Sequence, residues 1–287
     1  MTAGSTRLRH AVDEATAALA AAGVASPRLD AEELAAHQAG TDRGLLFLGA
    51  APGDDFFVGY DALIAARSRR VPLQHLTGTA PFGPLTLQVG PGVFVPRPET
   101  ESLLEWSAAQ ELPHNPVIVD LCTGSGALAL ALSRHWPQGR VIGIEASGEA
   151  LDYARRNAVG TPVELHHADV TEHGLLAELD GRVDLVVANP PYIPDGAELE
   201  PEVAEYDPKR ALFGGPDGMT VIAAVVALAA RWLRPGGLCV VEHDDSTSRE
   251  TVECFRGTEA FDGVFDEVVA RRDLAGRPRF VTARRKG

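Results

Sequence analysis

Residues 186–194 read VVANPPYIP, a run of β-branched apolar residues that leaves through an asparagine, two prolines and a tyrosine. A strand ending in a plain loop would tolerate many residues here, whereas a pocket that grips a planar amide or amine would not. The Asn189 side-chain oxygen is one hydrogen-bond acceptor. The Pro190 carbonyl is a second, held in place because proline fixes φ near about −65° and restricts the residue before it. Two acceptors that seize both hydrogens of a carboxamide draw the nitrogen lone pair out of resonance and turn it toward an electrophile. Methyl transfer from a sulfonium is an in-line displacement that needs this alignment. As positive charge passes from sulfur to nitrogen, the same oxygens stabilise it. Tyr192 adds a flat face on which a planar group can stack. An N-methylated amide cation is strongly acidic, so no dedicated general base is required, and most of the rate comes from orientation.

The donor side is written in VIVDLCTGSGALALAL, residues 117–132, which reads as strand, glycine loop and helix. Gly124 and Gly126 permit a sharp turn and close approach to a ligand, and Ala129 is small where helix meets strand. Glu145, at the end of the next strand, is placed to accept from ribose hydroxyls. Formally this is a dinucleotide fingerprint, and S-adenosyl-L-methionine competes for the same loop. Three features favour the sulfonium. Asp120 suits a methionine ammonium or an ordered water and would repel a pyrophosphate. Asp169, in HHADV, can accept from an adenine amino group, and Asn189 follows the fourth strand. Parallel sheets bind ligands at these carboxyl ends. Cys122 reads as a small apolar filler, since no partnering histidine is evident nearby in sequence. His166 and His167 point to opposite faces of a strand, so a metal is not expected.

These elements need a scaffold. The strands Val117–Leu121, Val141–Glu145, Val163–His167, Val183–Ala188 and Leu238–His243 alternate with helical patterns at 127–136, 151–158 and 219–233. That pattern predicts an α/β, Rossmann-like domain with a mostly parallel sheet covered on both faces. The runs Val264–Arg271 and Phe280–Ala283 lack a helix between them and read as an antiparallel pair at one edge. Before this domain, Leu8, Val12, Ala15 and Leu19 recur at helical spacing. Ser26-Pro27 followed by Asp30, Glu32 and Glu33 reads as a capped helix start. A third apolar patch, Leu45–Leu48, leads through Pro52-Gly53 into a last helix near Arg70, which gives a bundle of about four helices over 1–70. Residues 71–98, rich in glycine and proline, read as a β-hairpin linker, and 99–287 as the catalytic domain.

The 287 residues carry a net charge of −14 and three cysteines far apart in sequence. The acidic balance argues against stable nucleic-acid binding, with the arginines after Arg271 read as a solvated edge. The cysteines suggest neither a disulfide framework nor a zinc site. No apolar run approaches the roughly 18–20 residues of a membrane span. The amino terminus is a poor signal peptide, so cytoplasmic residence is expected.

Taken together, QHLTGTAPFGPLTLQVGPGVFVPRPETE (74–101), the 119–132 loop, VVANPPYIP, EYDPKRALFGGPDGM (205–219), LRPGGLCVVEH (233–243) and SPRLDAEELAAH resemble the peptide-chain release-factor glutamine methyltransferases over nearly the whole chain. The resemblance implies a class I methyltransferase domain with a seven-stranded sheet and an antiparallel edge strand. It implies methyl transfer from S-adenosyl-L-methionine to the side-chain amide of the glutamine in the Gly-Gly-Gln tip of bacterial class-1 release factors. By that resemblance Thr123, Gly124, Ser125 and Gly126 line the methionine portion of the cofactor, with Asp120, Cys122 and Asn189 also in contact. Glu145 would hold the ribose, and Asp169 and Val170 would flank the adenine. Asn189, Pro190, Pro191 and Tyr192 would clamp the glutamine, with Phe94 and Arg97 helping to close the pocket. Residues 1–70 would supply a second surface for the release factor, and a monomer is expected. Two departures stand out: Cys122 occupies the usual first glycine of the loop, and Asp244-Asp245-Ser246 follows Glu242-His243 where glycine is common. The alternatives are a glutamine methyltransferase acting on a ribosomal protein, and an enzyme for exocyclic base amines, which uses a similar loop on a flipped base. Further from these stands a non-enzymatic nucleotide-binding module.

Overall fold

Leu8, Val12, Ala15 and Leu19 line one face of helix α1 (Ala3–Ala21), and all four are buried, as an amphipathic stripe requires. The computed structural model describes residues 3–257, 263–273 and 275–287, and the other residues lie outside the description. The chain divides into two units. The first comprises Met1–Thr79 together with Leu199–Tyr206; the second comprises Ala80–Glu198 and Asp207–Gly287.

In the first unit α1 packs with α2 (Pro27–Ala39) and α3 (Asp54–Ser68), and a short helix α4 (Leu73–Thr77) closes it. Its core includes Val12, Leu19, Leu34, Phe56 and Tyr60. Ser26 stands at the N-cap of α2 with Pro27 after it, but its side chain makes no capping bond. Asp30 does not serve as a surface charge at the helix start. It is buried and takes a 2.7 Å hydrogen bond from Arg67 Nε. Arg67 Nη1 donates to Glu202 Oε2 at 2.9 Å and to the Val71 carbonyl at 2.9 Å. A segment drawn from far along the chain is thus stitched into the bundle by a buried guanidinium. The apolar patch at 45–48 forms no α-helix. Gly44 and Gly49 flank it, and it holds only part of a 3-10 turn (Arg43–Leu45), with Leu48 79% exposed. Glycine's backbone entropy is the local reason.

In the second unit the strands β1 (Thr79–Phe82) and β2 (Leu85–Gln88) form a two-stranded sheet, followed by α5 (Glu101–Ala108). The main domain then runs β3 (Val117–Leu121), α6 (Ala127–His135), β4 (Arg140–Glu145), α7 (Gly148–Asn157), β5 (Glu164–His167) and β6 (Val183–Ala188). After α8 (Pro201–Tyr206), which belongs to the first unit, come α9 (Lys209–Leu212), α10 (Thr220–Trp232), β7 (Leu233–Glu242), α11 (Ser248–Arg256), β8 (Phe265–Arg272) and β9 (Pro278–Arg285). The seven-stranded sheet has the order β5-β4-β3-β6-β7-β9-β8. Its first five strands are parallel, while β9 runs antiparallel to both β7 and β8. Every residue of β6 is buried, as expected of a central strand covered on both faces. Arg234–Gly237 lie in the irregular start of β7, where the register with β6 shifts. The register sets Leu121 beside Ala188, and Ala188 beside Val241. The loops that follow β3, β6 and β7 therefore open side by side.

Candidate active site

Asp120, the penultimate residue of β3, is buried. Its Oδ2 accepts from Thr123 Oγ1 at 2.5 Å and from the Ala129 amide at 3.0 Å. Its Oδ1 is buried with no hydrogen-bond partner among the described residues. Burial pushes this carboxyl up to about 7; the bonds from Thr123 and Ala129 oppose the rise and the charge of Glu145 adds to it. The loop then turns through left-handed backbone at Cys122 (φ 60°), Gly124 (φ 58°) and Gly126 (φ 86°). At Cys122 a Cβ sits in a conformation costly for an L residue, which is the physical reason a glycine would suit this position. Desolvation, with Glu145, Asp120 and Asp169 nearby, raises the Cys122 thiol well above its ordinary value, which removes it as a nucleophile. Ser125 is buried, and its carbonyl accepts from Asn157 Nδ2 at 2.9 Å.

Glu145 braces the same loop from the end of β4. Its Oε2 accepts from the Gly124 amide and its Oε1 from the Ser147 amide, both at 2.8 Å. Gly143 makes room beneath, since a Cβ on it would lie 3.1 Å from Thr123 Oγ1 and 2.9 Å from Leu165 Cδ2. Asp169 is held lower than usual by hydrogen bonds from Thr171 and by Arg210, whose Nη2 lies 2.8 Å from its Oδ2. Three donors therefore already face Asp169, which leaves one acceptor position of a carboxylate's roughly four. Val170 is buried in the main core cluster.

The loop after β6 is built from longer connections. Asn189 Nδ2 donates to Thr100 Oγ1 at 3.0 Å, and Thr100 Oγ1 donates to Glu242 Oε2 at 2.8 Å. Tyr192 Oη donates to the other oxygen, Glu242 Oε1, at 3.0 Å. Glu242 is fully enclosed, and burial pushes it up to about 7, opposed by Thr100, Tyr192 and the Arg279 guanidinium. Pro190 is buried and Pro191 half-buried. The loop backbone is gripped from behind by residues 212–218. The Ile193 amide donates to the Leu212 carbonyl at 2.9 Å, and the Gly214 amide to the Ile193 carbonyl at 2.9 Å. A Cβ on Gly214 would sit 2.5 Å from the Pro191 carbonyl, and one on Gly218 (φ 78°) would strike the Tyr192 carbonyl. These glycines are required by close approach.

Arg97 Nη2 lies 2.6 Å from Asp207 Oδ2, and its guanidinium sits 5.0 Å from the centroid of the Phe94 ring. Arg97 thus ties the 94–101 segment to the start of the DPKR stretch. Thr100, Glu242, Asn157, Gly143 and Arg210 went unnoticed as site residues. Thr100 and Glu242 lie inside the stretches PRPETE (96–101) and VVEH (240–243), the one local signal the sequence carries for them. Asp244 and Ser246 form a capping turn: Asp244 Oδ1 accepts from the Ser246 amide at 3.0 Å and from its hydroxyl at 2.6 Å.

The arrangement offers acceptors and small backbone turns at the end of β3, a carboxylate at β4, and a fixed carboxamide at β6. Comparison with known proteins gives it a context. The family model for the PrmC N-terminal domain matches residues 10–78, and that for a methyltransferase domain matches 118–200. The release factor glutamine methyltransferase of Mycolicibacterium smegmatis is 66% identical over 280 residues, covering 98% of each chain. Those of Streptomyces coelicolor and Deinococcus radiodurans are 48% and 41% identical, the first covering 96% of each chain and the second 98% of this chain and 99% of its own. A solved methyltransferase from Pyrococcus furiosus, 19% identical, aligns with a TM-score of 0.53 over 78% of this chain and 99% of its own, a likeness of fold. At such identity over nearly its full length, the chain belongs to the release factor glutamine methyltransferase family.

Proposed function

We propose that the protein transfers a methyl group to the side-chain amide nitrogen of the glutamine in the Gly-Gly-Gln tip of class-1 release factors, with Asn189 and Pro190 as the acceptor clamp. The observation that carries the reading is the anchoring of Asn189 through its nitrogen, Nδ2 to Thr100 at 3.0 Å. That leaves Oδ1, the atom an acceptor amide needs, for the substrate. The residues also fit S-adenosyl-L-methionine as donor. Asp120 Oδ1 is a buried acceptor without a partner among the described residues, and a Cβ on Gly124 would meet nothing within 4 Å. Asp120 with the 122–126 loop would hold the methionine end, Glu145 the ribose, and Asp169 with Val170 the adenine. When bound, S-adenosyl-L-methionine supplies an electrophilic methyl on a sulfonium.

The clamp residues then orient the nucleophile. Asn189 Oδ1 and the Pro190 carbonyl accept the two amide hydrogens and hold the nitrogen lone pair toward the donor. They stabilise the positive charge that arrives on nitrogen, and the acidic product cation loses its proton to solvent. Tyr192, fixed by Glu242, forms a wall against the planar group. The first unit, with its own core, supplies the second contact for the release factor, because a tripeptide tip offers little binding energy. On this reading the protein works as a monomer in the cytoplasm, where its release-factor substrate acts. Among the described residues no helix is long and apolar enough to cross a membrane.

The test is incubation of the protein with labelled S-adenosyl-L-methionine and a release factor, followed by mass spectrometry of the Gly-Gly-Gln peptide. One added methyl on the glutamine is expected. Label in a ribosomal protein or in DNA instead would replace the substrate assignment. Asn189→Ala should lower turnover by roughly 10²–10³-fold, the scale of losing one preorganised polar group at a reacting centre. Cofactor affinity should stay within a few-fold.

A further inference from the structure

We propose that Thr100 and Glu242 are positioning residues that fix which end of the Asn189 carboxamide faces the acceptor. The inference rests on the reading that Asn189 grips the substrate amide. A carboxamide has nearly the same shape at its oxygen and nitrogen ends, yet one end accepts and the other donates. Turned over, Asn189 would offer hydrogens to a substrate nitrogen that itself carries hydrogens, and the clamp would fail.

The relay behind Asn189 removes that freedom. An ionised Glu242 has acceptors only. Its Oε2 lies 2.8 Å from Thr100 Oγ1 and takes the one hydrogen of that hydroxyl. Thr100 is left with lone pairs toward Asn189, so only Nδ2, at 3.0 Å, meets it favourably; Oδ1 in that place would set oxygen against oxygen. The other carboxylate oxygen holds Tyr192 Oη at 3.0 Å, so one buried acid orients both polar side chains of the Asn-Pro-Pro-Tyr turn. Thr100 is 4% exposed and Glu242 2%. Water does not compete for these bonds, and direction is imposed from the carboxylate outward. Support for the loop alone would not need a hydroxyl that both accepts and donates.

The test compares full-length Thr100→Val, which keeps the shape and loses both bonds, with Thr100→Ser, which restores the hydroxyl. Asn189→Ala is measured alongside. Each is assayed for kcat and KM with a purified release factor, and for S-adenosyl-L-homocysteine affinity by calorimetry. Thr100→Val is expected to lower kcat by roughly 10- to 100-fold, the scale of a misdirected reacting group. Its KM and cofactor affinity should stay within about twofold, and Thr100→Ser should recover most of the rate. A Thr100→Val kcat within about twofold of the parent overturns the proposal. So does a Thr100→Ser loss as large as that of valine, which would make the effect one of packing, and so does a loss confined to cofactor affinity. If Asn189→Ala keeps its turnover, the clamp reading itself fails; if Asn189→Ala loses turnover and Thr100→Val does not, only the relay fails.

Discussion

The loops after β3 and β6 sit at the ends of adjacent parallel strands, and each is backed by a buried carboxylate pushed up to about 7. They are built in opposite ways. One oxygen of Asp120 is satisfied from its own neighbourhood, by Thr123 and Ala129, and the loop it steadies is shaped by left-handed backbone turns. Glu242 reaches Thr100 and Tyr192 from distant parts of the chain, and on the proposed reading the loop it steadies works through a side chain that must face one way. A group that binds a ligand through backbone can be assembled locally. A group that must distinguish the two ends of a carboxamide needs an outside reference, and here that reference comes from two other segments.

The contrast predicts that damage on the two sides separates into binding and turnover. Glu145→Ala removes the acceptor for the Gly124 and Ser147 amides. It should weaken cofactor affinity by roughly 10- to 100-fold, from hydrogen bonds to a charged group worth about 1.5–3 kcal/mol. With saturating cofactor, kcat should return to within a few-fold of the parent, as steady-state kinetics will show. A kcat deficit that saturation leaves in place would erase the division.

A pH series sharpens the comparison further. Glu242 is protonated below about 7 and ionised above it, with Arg279 favouring ionisation and Glu99 opposing it. If the ionised form sets the Asn189 direction, kcat at saturating substrates should rise as pH passes through about 7 and then level. The limb should change by close to tenfold over one pH unit on its steep part, the slope of a single titration. Glu242→Gln should flatten it. Asp120 should express its own titration in cofactor affinity instead. Both acids also tie site to stability. Their folded values lie above the ordinary carboxyl range, so their contribution to stability is full below about 4 and is lost as pH rises through about 7.

The smallest effect concerns Cys122. Glycine there relieves a left-handed conformation costing about 1–2 kcal/mol, but gives back roughly 0.5–1 kcal/mol in unfolded-chain entropy. Cys122→Gly should therefore raise stability by up to about 1.5 kcal/mol in thermal or denaturant unfolding, with turnover unchanged. A destabilised variant would mean the half-buried sulfur packs for more than the backbone loses.

The same contrast explains what could be read from sequence. The β3–α6 loop was legible because its glycines, Asp120 and the next strand's Glu145 lie in one short stretch with a periodic helix behind it. The parallel order of the main strands followed from their apolar runs. At 45–48 the flanking glycines weaken a helix that apolar residues alone would permit, and α4 was hidden inside a stretch whose glycines and prolines read as a hairpin. Asn189 could be singled out from its motif, but its orientation could not. That depends on a hydroxyl at 100 and a carboxylate at 242, and no local pattern links them.

The threading of α8 has an effect on how the protein is made. Arg67 is synthesised early, yet its partner Glu202 emerges 135 residues later, after the central strands of the sheet. A nascent bundle leaving the ribosome is therefore missing part of its own packing and holds a guanidinium that has Asp30 beside it before Glu202 is made. Since domains generally fold as units, amino-terminal first, during synthesis, the bundle's final consolidation must wait for the chain to come back.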